Sequence, residues 1–219
     1  MLKDNSVSKR LFDMVLAAIG VVMFSPILAV IAILIKLEDR ASVFYRGLRI
    51  GRQGKPFRVY KFRTMVVNAE KIGGPSTSDD DPRITRIGKH LRKYKLDELP
   101  QLFNVLKGDM SFVGPRPEVK SEVDLYTPQE RELLTVRPGI TDYASIEFHD
   151  EGAILKGSAD PHEAYRLLIR PRKIELGLQY VREHSLLTDL RILWLTGATL
   201  FMSRAVTASR AGAGTIRNS

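Results

Sequence analysis

The sequence predicts an α+β protein: a helix-rich compact domain with short strands, an N-terminal helix that enters a membrane and returns, and amphipathic helices lying at an interface. Three observations lead there. An uncharged run occupies residues 14–35; apolar residues at helical spacing alternate with short strand-like stretches through the middle; and no repeat or low-complexity linker interrupts that region. With 219 residues the chain suits one domain rather than two. The boundaries read from these patterns are 1–40 for the membrane helix region, 41–203 for the compact domain with a C-terminal interfacial helix, and 204–219 for a small, polar, basic tail expected to be disordered.

From Met14 to Ile35 the chain is long enough, as a helix, to cross a hydrocarbon core of about 30 Å. It is too long for a signal peptide and has no small-residue cleavage site. One spanning anchor is the plain reading of its hydropathy. Ser25-Pro26 near the centre argues for a break, because proline removes a backbone donor. Lys9 and Arg10 before the run and Lys36 and Arg40 after it give no charge preference for opposite sides. A helix that enters, breaks at Ser25-Pro26 and returns satisfies both, each arm reaching roughly 16 Å. The Ser25 hydroxyl is then placed to satisfy a freed backbone group.

Phe57–Met65 reads as a strand whose period of two puts Lys61 and Arg63 on one face and Tyr60 and Phe62 on the other. Ile84, Ile87 and Leu91 mark a helix over Thr85–Lys95. The next helix is expected from Asp97 to Lys107-Gly108, with Leu99, Leu102, Phe103 and Leu106 as its core stripe and Pro100 in its first turn. Short strands follow at Met110–Val113 and Ile140–Ile146. Leu186–Met202 is apolar but interrupted by Asp189 and Arg191, which fits an interfacial helix with Trp194 at the boundary and equally a core helix.

Thirty-four Lys and Arg against 25 Asp and Glu leave a net charge of +9, which suits an anionic partner without choosing one. The absence of cysteine excludes disulfides, thiolate metal sites and cysteine nucleophiles. His90, His149, His162 and His184 lack metal-ligand spacing. Asp79-Asp80-Asp81 sits among Gly, Ser and Thr and reads as a solvated loop. The basic stretch Arg46–Arg63, interleaved with aromatics, has the composition to neutralise single-stranded nucleic acid but carries no nucleic-acid motif, so no nucleic-acid partner is expected.

Asp97 and Glu98 are adjacent carboxylates at a helix start. Carboxylates attack phosphorus or ligate magnesium, and they also cap helices and complement the dipole; spacing leaves both readings open. Arg116, between Pro115 and Pro117, is held for bidentate phosphate contact or is a surface residue in a rigid turn. Arg92 and Arg137 carry the same two readings.

Lys9–Asp13 (KRLFD), Ser25-Pro26, Tyr60–Met65 (YKFRTM), Leu96–Pro117 (LDELPQLFNVLKGDMSFVGPRP) and Arg137–Thr141 (RPGIT) together resemble the bacterial sugar transferase family of small monotopic phosphoglycosyl transferases, from about Lys9 to Leu200. The resemblance implies a re-entrant helix in the bacterial cytoplasmic membrane with the catalytic domain on the cytoplasmic face. It also implies a magnesium ion, a UDP-sugar donor and polyprenyl (undecaprenyl) phosphate as acceptor. By the same resemblance Asp97 is the nucleophile and a metal ligand, Glu98 its partner, and Lys61, Arg63, Arg92, Arg116 and Arg137 contact phosphate. The chain departs from many relatives at Asp142-Tyr143-Ala144-Ser145, where they carry Gly-Trp-Ala-Gln.

The expected reaction is transfer of a sugar 1-phosphate to the lipid phosphate with release of UMP through an aspartyl intermediate, as the first membrane step of a cell-surface glycan. The competing readings are direct transfer without that intermediate and a noncatalytic, membrane-tethered basic module. Sugar identity, polyprenol length and homo-oligomerisation are left open.

Overall fold

The uncharged run forms part of one helix, α1 (Val7–Asp39), in a computed structural model that describes residues 7–74 and 76–199. The helix continues through Ser25-Pro26, where the sequence predicts a break. Pro26 lacks the N–H that would bond the Val22 carbonyl four residues back, and the Ser25 hydroxyl donates to that same carbonyl at 2.8 Å. The hydroxyl thus occupies the acceptor that the missing amide leaves free.

One face of α1 lies along the rest of the protein from end to end. Lys9, Asp13, Ala17, Gly20, Ile31 and Ile35 are buried, with Phe24 and Leu28 half-buried between them. These positions recur every three or four residues, the spacing of a single helical stripe. Ala17 packs with Val59, Leu102, Val105 and Met110, whereas Ile31 and Ile35 pack with Phe62 and Leu91. Both ends of α1 therefore rest on the same domain. Its opposite face exposes Val15, Ile19, Val22, Met23, Ile27, Val30 and Ile33.

After α1 come strands β1 (Phe44–Tyr45), β2 (Leu48–Ile50), β3 (Pro56–Arg58) and β4 (Lys61–Phe62), paired antiparallel as β1 with β4 and β2 with β3. The single strand expected over Phe57–Met65 is thus two. Asn104, fully buried, accounts for the division: its side-chain oxygen accepts from the Tyr60 amide and its nitrogen donates to the Arg58 carbonyl, both at 2.8 Å. That side chain occupies backbone groups a continuous ladder would use.

Helices α2 (Ala69–Ile72), α3 (Arg86–Lys93) and α4 (Gln101–Lys107) follow, then β5 (Ser111–Val113), α5 (Lys120–Val123) and β6 (Gly139–Thr141), which pairs parallel with β5. The chain closes with α6 (Tyr143–Glu147), α7 (Glu151–Ile154), α8 (Pro161–Ala164), α9 (Arg170–Glu183) and α10 over residues 186–199, a π-helical turn at Tyr165–Ile169 leading into α9. The strand expected at Ile140–Ile146 ends at Thr141, because the Asp142 carboxylate accepts from the Ser145 amide at 2.7 Å and caps α6. Asp81, expected in a solvated loop, is instead buried against Arg83 at 2.6 Å. The expected tail at 204–219 lies outside the described residues.

Helix α10 is amphipathic: Ile192 and Asp189 are buried, while Leu187, Leu190 and Trp194 are exposed. A wholly buried core helix does not describe it. Asp189 joins four elements at one point. Its carboxylate meets the Lys9 ammonium of α1 at 2.5 Å and the Tyr180 hydroxyl of α9 at 2.8 Å, and that hydroxyl lies 3.0 Å from the Val113 carbonyl of β5.

Breaking a buried ion pair leaves an uncompensated charge and typically costs about 3–5 kcal/mol. Asp189→Ala is therefore expected to destabilise the protein by about that amount in denaturant unfolding in detergent, and a change under about 0.5 kcal/mol would show that the pair does not hold α10.

Candidate active site

Two backbone features bring the acidic pair to the protein's cation-rich side. Lys95 adopts a left-handed conformation (φ 55°) that ends the α3 segment, and Leu96–Glu98 forms a 3-10 turn before α4 begins at Gln101. The helix expected from Asp97 thus starts four residues later, with Pro100 at its cap, and Asp97 and Glu98 are displayed on a tight turn. Leu102 and Val105 fill the core side of α4; Phe103, expected in the stripe, is 37% exposed.

On the facing side, Arg116 emerges from the Pro115-Arg116-Pro117 segment just after β5. That segment packs backbone to backbone on the Arg137-Pro138-Gly139 entry to β6. A Cβ on Gly139 would fall 2.1 Å from the Gly114 nitrogen, and one on Gly114 would fall 2.3 Å from the Arg137 carbonyl. Only glycine fits at either point, and the close approach fixes where Arg116 begins.

Glu98 is held by two cations. The Arg116 guanidinium donates to its two oxygens at 2.5 and 3.4 Å, and the Lys61 ammonium of β4 donates to Oε1 at 2.8 Å. Burial works to raise the Glu98 pKa, but Arg116 and Lys61 outweigh it and hold the carboxyl well below the usual range. Lys61 is itself lowered, by burial first, with Glu98 opposing. Arg116 is raised, chiefly by the Glu98 charge.

Asp97, only 8% exposed, is the opposite case. Its carboxylate takes no hydrogen bond or ion pair among the described residues. Burial, then the neighbouring Glu98 charge, raise its pKa, while Lys61, Arg92 and Lys95 pull it down from a distance. Two adjacent carboxylates are thus differentiated: one clamped and ionised, the other poorly solvated and unclamped. An uncommitted buried carboxylate facing cations is disposed to bind a cation or attack an electrophile that carries its own negative charge.

Of the residues singled out from sequence, Lys61, Arg92 and Arg116 gather around Asp97 and Glu98. Arg63 and Arg137 do not. The Arg63 guanidinium is taken up by Asp39 at 2.6 Å and by the carbonyls of Ser42 and Met65. Arg137 donates to the Gly108 carbonyl at 3.1 Å, past the far end of α4. Sequence reading missed Glu118, Glu122, Tyr126, Tyr165 and Arg170, which line a small cavity with Arg116 as part of its wall. Their placement depends on α5 meeting the π-helical turn, a long-range contact with no local signature.

The two carboxylates predict stability changes of opposite sign. Asp97→Asn removes a poorly solvated charge and is expected to stabilise the fold by about 1 kcal/mol. Because the folded pKa of Asp97 is raised, its ionisation costs stability, so this gain appears as pH rises through that pKa, above 3.8. Glu98→Gln leaves Lys61 and Arg116 without their carboxylate and is expected to destabilise by about 2–3 kcal/mol, between exposed-pair and buried-pair costs. Thermal unfolding of both variants across pH 4–8, on the order of the range where carboxylates and their raised forms titrate, tests the pair of signs.

Residues 4–203 match the model of the family described as bacterial sugar transferase. A UDP-N-acetylgalactosamine-undecaprenyl-phosphate N-acetylgalactosaminephosphotransferase of Aeromonas hydrophila is 39% identical over 198 residues, covering 88% of this chain and 43% of that protein. The exopolysaccharide production protein ExoY of Sinorhizobium fredii is 36% identical over 215 residues, covering 91% of this chain and 88% of that protein. The UDP-glucose:undecaprenyl-phosphate glucose-1-phosphate transferase of Escherichia coli is 37% identical over 209 residues, covering 92% and 42%. The chain therefore spans less than half of two of these relatives and most of the third. With nearly its whole length matched, the chain belongs to the bacterial sugar transferase family, a family of enzymes.

Proposed function

We propose that this protein transfers a sugar 1-phosphate from a UDP-sugar to polyprenyl phosphate, undecaprenyl phosphate in bacteria, in two displacements at one phosphorus. The observation that carries the reading is the contrast between unclamped Asp97 and clamped Glu98 inside a ring of cations. The activities for which the relatives from Aeromonas hydrophila and Escherichia coli are named support the substrate class.

In the first displacement an Asp97 carboxylate oxygen attacks the β-phosphorus. The bond from that phosphorus to the bridging oxygen breaks, and UMP leaves with the electron pair. In the second, an oxygen of the lipid phosphate attacks the same phosphorus and the Asp97 carboxylate departs, leaving a polyprenyl diphosphate sugar. Neither displacement requires a net proton. Arg116, Lys61 and Arg92 provide positive charge where the diphosphate must rest, and Glu98 fixes the first two. No cluster of three or more His, Asp or Glu side chains suited to a metal occurs among the described residues. Magnesium commonly takes one or two carboxylates with substrate phosphates and water, so Asp97 and the diphosphate form a fitting donor set. When bound there, the ion supplies charge neutralisation for the departing UMP.

The same reading assigns residues 1–40 to membrane insertion and 41–203 to catalysis at the cytoplasmic face of the inner membrane. Because both ends of α1 pack on one domain, its apolar outer face enters the bilayer without the helix crossing it. Leu187, Leu190 and Trp194 of α10 extend the apolar surface, with α10 lying at the interface. A soluble nucleotide sugar and a lipid phosphate meet at such a boundary, as the first membrane step of a cell-surface glycan.

UMP release measured over a panel of UDP-sugars, with magnesium and undecaprenyl phosphate, tests the reaction. Asp97→Asn is expected to lower release by about 10³-fold or more while remaining folded. Unchanged release would remove Asp97 from the chemistry. The wild-type rate is expected to fall on the acid side with a midpoint above 3.8, because burial raises the pKa of the group that must be ionised. Since the chain has no cysteine, single cysteines at Val7 and Leu37 can be labelled against a silent background. Both are expected to react from the same side of a sealed vesicle; reaction from opposite sides would mean that α1 spans.

A further inference from the structure

The outer side of α3 carries charge that the rest of the protein does not answer. Arg86, Lys89, His90 and Lys93 are exposed on it, while Ile87 and Leu91 pack inward. The helix contains no Asp or Glu, and Arg86, Lys89 and Lys93 form no ion pair among the described residues; Lys93 lies over the Tyr94 ring at 5.8 Å. Other basic side chains are matched: Arg63 by Asp39, Arg83 by Asp81, Arg166 by Glu122, Arg172 by Glu147 and Lys173 by Glu151. Lys89 and Lys93 stand four residues apart, a like-charge spacing that weakens a helix. The helix dipole favours Lys93 in the last turn but disfavours Arg86 in the first, so helix stability does not account for this face.

Packing fixes where the face lies. Ile87 and Leu91 pack with Ile31 and Ile35 of α1, and the Ile87 amide donates to Glu38 Oε1 at 3.3 Å. Helix α3 is therefore seated against the C-terminal end of α1, whose outer side exposes Val30, Ile33, Leu34 and Leu37. On the reading proposed above, both ends of α1 stay on one side of the bilayer. That end then lies at headgroup depth, and α3, about 12 Å long, lies there with it. An apolar helix face beside a cationic one matches the two layers of an anionic leaflet, acyl chain and headgroup.

We propose that the face of α3 carrying Arg86, Lys89 and Lys93 binds anionic phospholipid headgroups and selects them over zwitterionic ones. The proposal rests on the membrane placement of α1 and adds to it the class of lipid that seats the domain. Each Lys or Arg close to an anionic surface favours association about fivefold, over a screening distance of about 8 Å at physiological salt. Only Tyr94 and Lys95 separate α3 from the turn that displays Asp97 and Glu98, so the headgroups that hold α3 also hold the acidic pair near the bilayer surface.

The experiment places the whole chain in phosphatidylcholine vesicles. Electron spin resonance then measures the preference of its lipid contacts for spin-labelled phosphatidylglycerol over spin-labelled phosphatidylcholine. Wild type is compared with Arg86→Gln/Lys89→Gln/Lys93→Gln and with Arg49→Gln/Lys55→Gln/Arg58→Gln, which removes the same charge from the β2–β3 hairpin. Because the preference is a ratio of two lipids in the same kind of vesicle, it does not depend on how much protein is incorporated. Wild type is expected to prefer phosphatidylglycerol about threefold or more, the α3 variant to lose about half of that preference or more, and the hairpin variant to keep it. High salt is expected to remove the difference between wild type and the α3 variant. Equal preferences in wild type and the α3 variant, or an equal loss in the hairpin variant, would overturn the proposal. So would binding of an RNA oligonucleotide by α3 with no lipid preference. Wild-type protein that does not enter phosphatidylcholine vesicles at all would instead overturn the membrane placement of α1, and this inference with it.

Discussion

The arrangement depends on Glu98 being clamped by Lys61 and Arg116. These three side chains come from the 3-10 turn, from β4 and from the loop after β5. Glu98 ion-pairs with both the short strand and the proline-bounded loop, and the adjacent Asp97 is left without a cation of its own. An unpaired buried carboxylate is unfavourable for folding. On the proposed reading, stability is given up here to keep a nucleophile unpaired beside a fully paired neighbour.

The scaffold that holds the clamp is the contact between α1 and the domain. Asn104 and Val105 of α4 are wholly buried, Ala17 packs on the second, and the first divides β3 from β4 so that Lys61 arrives at Glu98. The buried end of α1 reaches β5 through Asp13, which accepts from the Phe112 amide at 3.2 Å, and α10 through Lys9. The helix that meets the membrane is therefore continuous in packing with the elements that present Arg116. On the proposed reading, membrane seating and active-site geometry share one set of contacts, with the outward apolar face of α1 turned to the bilayer.

Much of this was legible in the sequence where a residue type admits few structural roles. The uncharged run, the glycine and proline punctuation around Arg116, and the helical spacing of Ile84, Ile87 and Leu91 each led to an element found near its expected place. The acidic pair was visible, but not its asymmetry, because that depends on which carboxylate Lys61 and Arg116 reach. Local periodicity misled over Phe57–Met65: strand alternation assumes an unbroken ladder, and one buried amide from a distant helix divides it between Arg58 and Tyr60. At Pro26, where a break was expected, the helix is continuous, and the Ser25 hydroxyl bonds the carbonyl that the missing amide would have used. The cavity beside Arg116 had no sequence signal, being made where α5 meets the π-helical turn.

The most direct test of the central claim, that Asp97 is the carboxylate free to attack while Glu98 is not, is mass spectrometry of the enzyme quenched with an accepted UDP-sugar and no lipid acceptor. The account predicts a sugar-phosphate adduct on the peptide containing this turn, localised to Asp97 and lost when undecaprenyl phosphate is added. An adduct on Glu98, or UMP formed only in the presence of acceptor with no adduct at any time, would contradict it.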